Sequence, residues 1–265
     1  MERYFNLFYS CNQRISIDSR TVESGSLFIA IVGTTFNGNQ FIQSALDNGA
    51  SYCITSEETL SDGERIFYVS DTLLFLQKLA NFHRSRFAIP VIGITGSNGK
   101  TTTKELIVAV LTMKFNVLFT EGNLNNHIGV PLTLLRLKPH HEIAVIEMGA
   151  NKPGDIEELC DIADPNFGVI TNIGLAHLEG FGSFEGVIEA KSELYHYLRV
   201  KQGRIFINSD NQILQAQAKG LTATSYGENT EADHQLISKS ADPFLSIHVN
   251  GFDKPIESKL AGIYN

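Results

Sequence analysis

The chain has 265 residues, a formal net charge of −8, and 43% hydrophobic against 19% charged residues. That balance supports a packed core in one large or two ordinary domains and excludes a disordered chain. No basic block offers a footprint for nucleic acid, and no apolar run reaches the roughly 18 residues of a membrane span.

The opening MERYFNLFYSCNQR lacks the layout of a secretory signal. Cys11, Cys53 and Cys160 are odd in number and far apart, which argues against a disulfide framework or a zinc site and fits a reducing cytoplasm. Over residues 1–85 the pattern predicts a small N-terminal α/β domain. RISIDSR and GSLFIAI read as strands, and NQFIQSALDNGA as a helix stopped at Gly49. YCIT and RIFYVS read as further strands, and TLLFLQKLANFHRSRF as an amphipathic helix before Pro90. Residues 86–265 read as a second, larger domain. Its apolar runs PVIGITG, NVLFT, EIAVIEMGA, FGVITNIG and GRIFINS alternate with helices over TTTKELIVAVLTMKF, GDIEELCDIA, FEGVIEAKSELYHYL and NQILQAQAKG. That alternation predicts a mostly parallel sheet flanked by helices on both faces. TATSYG comes next, and the closing FLSIHVNG and PIESKLAG read as a small antiparallel extension.

In an open parallel sheet, ligands bind beyond the carboxyl ends of the strands. The residues after each apolar run are therefore the candidates. After PVIGIT come Gly96, Ser97, Asn98, Gly99, Lys100, Thr101 and Thr102, and then a helix. The glycines let backbone amides turn towards an anion, and the helix N-terminus adds a partial positive charge. Lys100 adds a full charge, and Thr101 is suited to Mg²⁺. The general phosphate loop asks for Gly, four residues, then Gly-Lys-Ser/Thr. Here position 94 is Ile, and the nearest glycines are Gly93 and Gly96. A local field of this kind can draw an anion to an acidic protein.

After IAVI comes Glu147, placed to hold Mg²⁺ directly or through water, or else to cap a helix. After FGVITNIG comes His177, a lone histidine on the same predicted sheet edge as Lys100 and Glu147. Lys191 falls on the apolar face of its helix, three or four residues from Val187, Ile188, Leu194 and Tyr195. A buried lysine is costly unless paired. Either its stem snorkels to solvent, or its amine has a lowered pKa and reacts with carbon dioxide to give a carbamate that can bind Mg²⁺. Asn123, Asn125, Asn126 and His127 form a polar loop whose Asn126–Gly129 portion suits helix capping. An arginine such as Arg20, after Ser19 and between short strands, grips a phosphate or pairs with a surface acid.

GITGSNGKTTTKE resembles the ATP loop of the Mur ligase family, in which two residues rather than four separate the glycines. VIEMGA, TNIGLAHLEGFGSFEGVIEAKSEL and EGNLNNHIGVPLTLLRL are most similar to the family's D-alanyl-D-alanine-adding branch. The resemblance runs from residue 18 through GIYN at the C-terminus. It implies a P-loop-type central domain that binds ATP, with residues 1–85 holding the UDP part of UDP-N-acetylmuramoyl-tripeptide, whose third residue is diaminopimelate or lysine. It implies an ATP-dependent amide ligase of peptidoglycan precursor synthesis. Such a ligase phosphorylates the substrate carboxylate and lets the amine of D-alanyl-D-alanine displace the phosphate.

By the same resemblance Lys100, Glu147, His177 and Lys191 serve catalysis. Residues Gly96 to Thr102, with Asn208 and Asp210, serve ATP. Thr101 and Glu147 hold one Mg²⁺, and His177 with a carbamylated Lys191 a second. Ser19, Arg20, Asn37, Gly38 and Asn126 serve the substrate. A cytoplasmic monomer is expected, with neither nucleic acid nor membrane insertion. LAGIYN resembles the junction to the family's C-terminal domain, which closes over ATP. A chain lacking that domain is expected to bind UDP-substrate, and ATP weakly, and to turn over poorly or not at all. Three other readings stay open: a different Mur or folylpolyglutamate-synthase-like amide ligase, a P-loop kinase or motor-type NTPase, and a binding module without catalysis.

Overall fold

The computed structural model describes residues 1–174 and 178–262. In chain order the elements are α1 (Glu2–Ser10), β1 (Ile15–Ser16), β2 (Leu27–Ile29), α2 (Ile42–Asp47), β3 (Tyr52–Thr55), β4 (Ile66–Tyr68) and α3 (Thr72–Arg84). Next come β5 (Val91–Thr95), α4 (Lys100–Leu111), β6 (Val117–Phe119), α5 (Gly129–Leu134), β7 (Ile143–Glu147), α6 (Asp155–Ala163) and β8 (Phe167–Ile170). The rest are α7 (Leu178–Phe181), α8 (Phe184–Val200), β9 (Arg204–Asn208), α9 (Gln212–Gln217), β10 (Thr222–Gly227), β11 (His234–Ala241), β12 (Leu245–Val249) and β13 (Ile256–Glu257).

The strands form two sheets. The smaller has the order β1-β2-β3-β4 and is parallel throughout. The larger has the order β13-β12-β11-β10-β9-β8-β5-β7-β6. It is parallel from β6 to β11, and β12 and β13 run antiparallel at its edge. The small α/β domain, the mostly parallel sheet and the antiparallel extension are the architecture expected from the sequence.

The chain forms two compact units. The first holds Met1–Ala88, Glu121–Pro139 and Ile162–Asp164; the second holds Ile89–Thr120, His140–Asp161 and the chain from Pro165 onward. A single cut near residue 85 does not anticipate the return of Glu121–Pro139 to the first unit. The cause is apolar. Val130, Pro131 and Leu134 of α5 are buried, and α5 packs on α3, where Gln77 Nε2 donates to the His127 carbonyl at 3.3 Å.

His83 of α3 is fully buried in this unit. One ring nitrogen, Nε2, lies 3.1 Å from the Leu137 carbonyl. Phe5, Phe8, Tyr9 and Phe87 surround the ring. Burial pushes its pKa down from 6.5 to about 4, so the ring is neutral at pH 7. Because the folded pKa is the lower one, the stabilising contribution is complete above pH 6.5 and is lost as pH falls through 4. The loss is about 3 kcal/mol. Urea unfolding between pH 7 and pH 4 is expected to show it, and His83→Gln to remove that part of the slope. An identical slope in the variant would place the acid sensitivity elsewhere.

In the second unit β5 is the switch point. β7 and β6 lie on one side, and β8, β9 and β10 on the other. Crevices form where strand order reverses in this way, beyond the carboxyl ends of the strands. Successive residues of β5 point to opposite faces. On one face Ile94 packs in a cluster with Val108 of α4, Val145 and Val169. On the other, a Cβ at Gly93 would stand 3.2 Å from Leu194 Cδ1 of α8. Gly93 therefore lets α8 close on the sheet and is not the first glycine of the loop. Leu194, Tyr195 and Leu198 of α8 are fully buried, and the two leucines contribute roughly 1.5–3 kcal/mol each.

Candidate active site

The site is assembled at the carboxyl ends of β5, β7 and β8. The register places Ile94 beside Glu147 on one side, and Thr95 beside Ile170 on the other. Residues 96–102, Glu147 and Thr171–Asn172 therefore lead from neighbouring strands onto one edge. Gly96 has φ +142° and Gly99 has φ +75°, both in the range that disfavours a side chain. Gly99 precedes α4, whose first internal bond is donated by Thr103 to the Gly99 carbonyl at 2.9 Å. The N–H groups at the start of α4 have no carbonyl within the helix to meet, and the positive end of the helix dipole adds to them.

Asn172 holds the preceding part of the loop. Its carbonyl accepts from Ser97 N at 3.0 Å, its Oδ1 accepts from Asn98 N at 3.0 Å, and its Nδ2 donates to the Asn98 carbonyl at 3.0 Å. Thr171 Oγ1 donates to that same carbonyl at 2.6 Å, and Ser97 Oγ to the Gly174 carbonyl at 3.0 Å. The amides of Ser97 and Asn98 are thus engaged in shaping the loop. Those at the start of α4 are the ones presented to an anion. Neither Thr171 nor Asn172 was singled out from sequence. The signal was a polar pair directly after the apolar run FGVI.

Gly96 is where this frame leaves no room. A Cβ there would collide with Thr171 Oγ1 and stand 3.1 Å from the Asn172 carbonyl oxygen. A Cβ at Gly99 would meet nothing within 4 Å. Gly96→Ala is therefore expected to cost roughly 1–3 kcal/mol of backbone strain with the displacement of Thr171 in addition, and to abolish nucleotide binding, whereas Gly99→Ala costs only the backbone strain, about 1–2 kcal/mol. Thermal unfolding and an ADP titration of both variants check this. Equal effects at the two glycines would contradict the Asn172 frame.

Lys100 Nζ donates to the Gly96 carbonyl at 2.7 Å and to the Ser97 carbonyl at 3.4 Å. Burial lowers its pKa, and the charge of Glu147 opposes that shift. Thr101 Oγ1 donates to Glu147 Oε1 at 3.2 Å, and Glu147 is 1% exposed. A hydroxyl and a carboxylate held together in this way are hard oxygen donors of the kind Mg²⁺ prefers.

Lys191, on the buried face of α8, is 2% exposed. Its stem does not snorkel. Among the described residues no carboxylate lies within ion-pair distance of its Nζ, and the Phe181 ring lies 5.3 Å away. Burial, then the charge of Lys100, lower its pKa to about 8, against the pull of Asp155 and Glu193. Those two acids serve the start of α6. Asp155 Oδ2 accepts from Asn151 N and Lys152 N, and Glu193 from Gly154 N and Glu157 N. His177 lies outside the described residues.

The two residues expected near adenosine have local partners. Asn208 Oδ1 accepts from Asp210 N at 2.8 Å, and the Asp210 carboxylate accepts from Glu228 N at 2.7 Å and Asn229 N at 3.0 Å.

Ser19, Arg20, Asn37, Gly38 and Asn126 belong to the first unit. Arg20 is forked onto Asp18, with Nε–Oδ1 at 2.9 Å and Nη2–Oδ2 at 2.6 Å, and this pairing lowers the Asp18 pKa to about 2. Both line a cleft of about 500 Å³ together with Ser19, Phe36 and Phe41. The rings of Phe36 and Phe41 stack at 5.3 Å and 9°, and both are more than one third exposed. Sequence reading passed over this aromatic wall. Asn37 Oδ1 accepts from Asn39 N at 3.0 Å, and its Nδ2 donates to Glu57 Oε1 at 3.2 Å. A Cβ at Gly38 would press on the backbone of Ala30 and Ile31. Asn126 Oδ1 accepts from Ile128 N and Gly129 N, setting the entry to α5.

A glycine-turned strand–loop–helix with a lysine at the helix start and an acid on the adjacent strand suits a polyphosphate with a divalent cation. Comparison with known proteins assigns the class. A family model of the Mur ligase middle domain matches residues 94–265, and one described as Mur ligase family, catalytic domain, matches residues 13–84. The chain belongs to the Mur ligase family. A UDP-N-acetylmuramoyl-tripeptide–D-alanyl-D-alanine ligase of Synechocystis sp. is 41% identical over 95% of this chain and 55% of the relative. Crystal structure I of MurF from Acinetobacter baumannii aligns with a TM-score of 0.85 and 34% identity, over 94% of this chain and 56% of that one. The ADP complex of MurF ligase from Thermotoga maritima aligns with a TM-score of 0.84 and 34% identity, over 96% and 60%. The chain thus spans 55–60% of the length of these three relatives.

Proposed function

We propose that this chain carries the nucleotide and UDP-substrate sites of an ATP-dependent ligase joining D-alanyl-D-alanine to UDP-N-acetylmuramoyl-tripeptide, acting in the cytoplasm as a monomer. The observation that carries the reading is the half-buried Lys100 amine at the start of α4 beside the Thr101 hydroxyl and the buried Glu147 carboxylate, on one sheet edge. The 41% identity to a ligase of that name supports it.

A carboxylate is a poor electrophile at neutral pH. Its oxygen attacks the γ-phosphorus of ATP, the bond to the bridging oxygen breaks, and ADP leaves with an acyl phosphate formed. The amine of D-alanyl-D-alanine then attacks the acyl carbon, losing a proton, and phosphate departs. Lys100 and the amides at the start of α4 hold the β- and γ-phosphates and offset the charge that develops there. Mg²⁺, when bound, neutralises further phosphate charge and polarises the γ-phosphoryl group. Thr101 and Glu147 would hold one such ion, and a carbamylated Lys191 with His177 a second. Ser97 and Asn98 shape the loop, and Asn208 and Asp210 set the β9 end near which adenosine lies.

In the first unit Arg20 and Ser19 take the diphosphate, Phe36 and Phe41 offer the uracil ring a stacking surface, and Asn37 and Gly38 shape that cleft. Asn126 contacts the substrate through the part of its amide not used in capping.

Calorimetry with UDP-N-acetylmuramoyl-tripeptide, and separately with Mg·ADP, tests the reading. Binding of both is expected. Failure to bind the UDP compound, together with ATP hydrolysis that needs no carboxylate acceptor, would favour a P-loop NTPase instead.

A further inference from the structure

One turn along α4 from the phosphate loop lies a second buried lysine. Lys104 has no exposed surface, and lysine is almost never fully buried unless paired. Its Nζ donates to the Thr120 carbonyl at 2.7 Å and stands 2.8 Å from the neighbouring Glu105 carboxylate. Thr120, also fully buried, comes directly after β6. Its Oγ1 accepts the backbone N–H of Glu147 at 3.0 Å, and its own N–H donates to the Val145 carbonyl at 3.1 Å. The Glu147 carboxylate in turn accepts from Thr101 of α4.

Thr101 and Lys104 are three residues apart and so share a helix face. The contacts close a ring: Lys104 to Thr120, Thr120 to the Glu147 backbone, Glu147 to Thr101, and back along α4. The carboxylate is thereby fixed to the first turn of the phosphate-loop helix from both sides. An apolar side chain would fill the Lys104 position without desolvating a charge. What it would lose is the grip on the Thr120 carbonyl and the pairing with the largely exposed Glu105 carboxylate.

We propose that Lys104 is a positioning residue for the metal-holding carboxylate of Glu147, acting through Thr120. The proposal rests on the reading that Thr101 and Glu147 hold a divalent ion beside the nucleotide. Lys104 lies outside the phosphate loop, and its amine is engaged by the Thr120 carbonyl and Glu105. It sets how far the end of β6 stands from α4, and so where the Glu147 side chain starts.

The test uses Mn²⁺ as the probe, read by electron paramagnetic resonance in the presence of ADP, with ADP affinity in EDTA as the control. Groups that orient a metal ligand typically carry 10–100-fold in metal affinity. Lys104→Met is therefore expected to weaken Mn²⁺ at least about tenfold and to leave ADP affinity in EDTA unchanged. Thr120→Val, close in shape to the native side chain, is expected to do the same, and Thr120→Ser to retain wild-type affinity. The double variant is expected to be no weaker than either single one, because both act through one chain of contacts. If Lys104→Met does not fold, the Val and Ser variants at Thr120 decide the matter. Unchanged Mn²⁺ affinity in folded variants overturns the proposal, as does a parallel loss of ADP affinity in EDTA. A wild-type chain that binds ADP but does not retain Mn²⁺ overturns the underlying metal assignment instead.

Discussion

Lys100→Met is expected to weaken ADP binding by about a hundredfold, close to 3 kcal/mol. The ammonium sits at the opening of α4, 2.7 Å from the Gly96 carbonyl. A second role competes with phosphate binding, because that contact also ties the loop to itself. The two roles separate in experiment. A phosphate-binding charge gives an affinity that falls with ionic strength, so the wild type should lose affinity as salt rises and Lys100→Met should lose much less. A loop tie alone would lower the melting temperature and leave the salt dependence of the remaining binding as it was. Lys100→Arg is expected to rescue poorly, since a planar fork does not replace a compact ammonium in a half-buried position. Wild-type affinity in a folded Lys100→Met chain would remove Lys100 from the phosphate site.

Much of this arrangement was legible in the sequence because it is local. Strand–loop–helix order, the lysine at the start of α4 and the acid ending β7 each lie within a few residues of a periodic segment. Parallel strands then bring their carboxyl ends together by topology alone. Lys191 was legible for the same reason, since a charged residue on an apolar helical face stands out against its period.

What stayed hidden depends on contacts distant in sequence. Asn172 matters because it meets Ser97 and Asn98 across the β5–β8 pair, which no local pattern encodes. Lys104 reads as an ordinary helix residue until Thr120 is placed against it. The roles of Gly93 and Gly96 divide only when α8 and Thr171 are seen beside them. Among the elements, α1 has no side-chain cap at its start, and β11 carries mostly exposed residues without a core-facing stripe. The first lacks a marked start, and the second lacks the alternation of a half-buried strand.

Lys191→Met is expected to stabilise the chain while removing the proposed second metal position, two opposed effects with one cause. Lys191 is 2% exposed, and burial with the nearby Lys100 lowers its pKa from 10.5 to about 8. The depressed value means that the charged amine costs stability below about pH 8, and that the cost fades as pH rises from 8 to 10.5. At pH 7 it amounts to about 3 kcal/mol. Denaturant unfolding at pH 7 should show Lys191→Met more stable by up to that amount, with the difference shrinking towards pH 10.5. Such a cost is what a position retained for chemistry would carry. The neutral amine can attack the carbon of carbon dioxide, forming an N–C bond as one C–O π pair moves to oxygen and the nitrogen releases a proton, and the product is a buried anion whose charge the nearby Lys100 offsets. With dissolved carbon dioxide held constant, carbon-13 labelling is expected to give a carbamate signal that grows as pH rises through about 8 and is absent from Lys191→Met. Mg²⁺ with ADP should strengthen it, because a bound cation favours the carboxylate product. A bare amine in labelled carbon dioxide with Mg·ADP present, or a signal that persists in the variant, would remove Lys191 from the metal site. The destabilisation would then need another explanation.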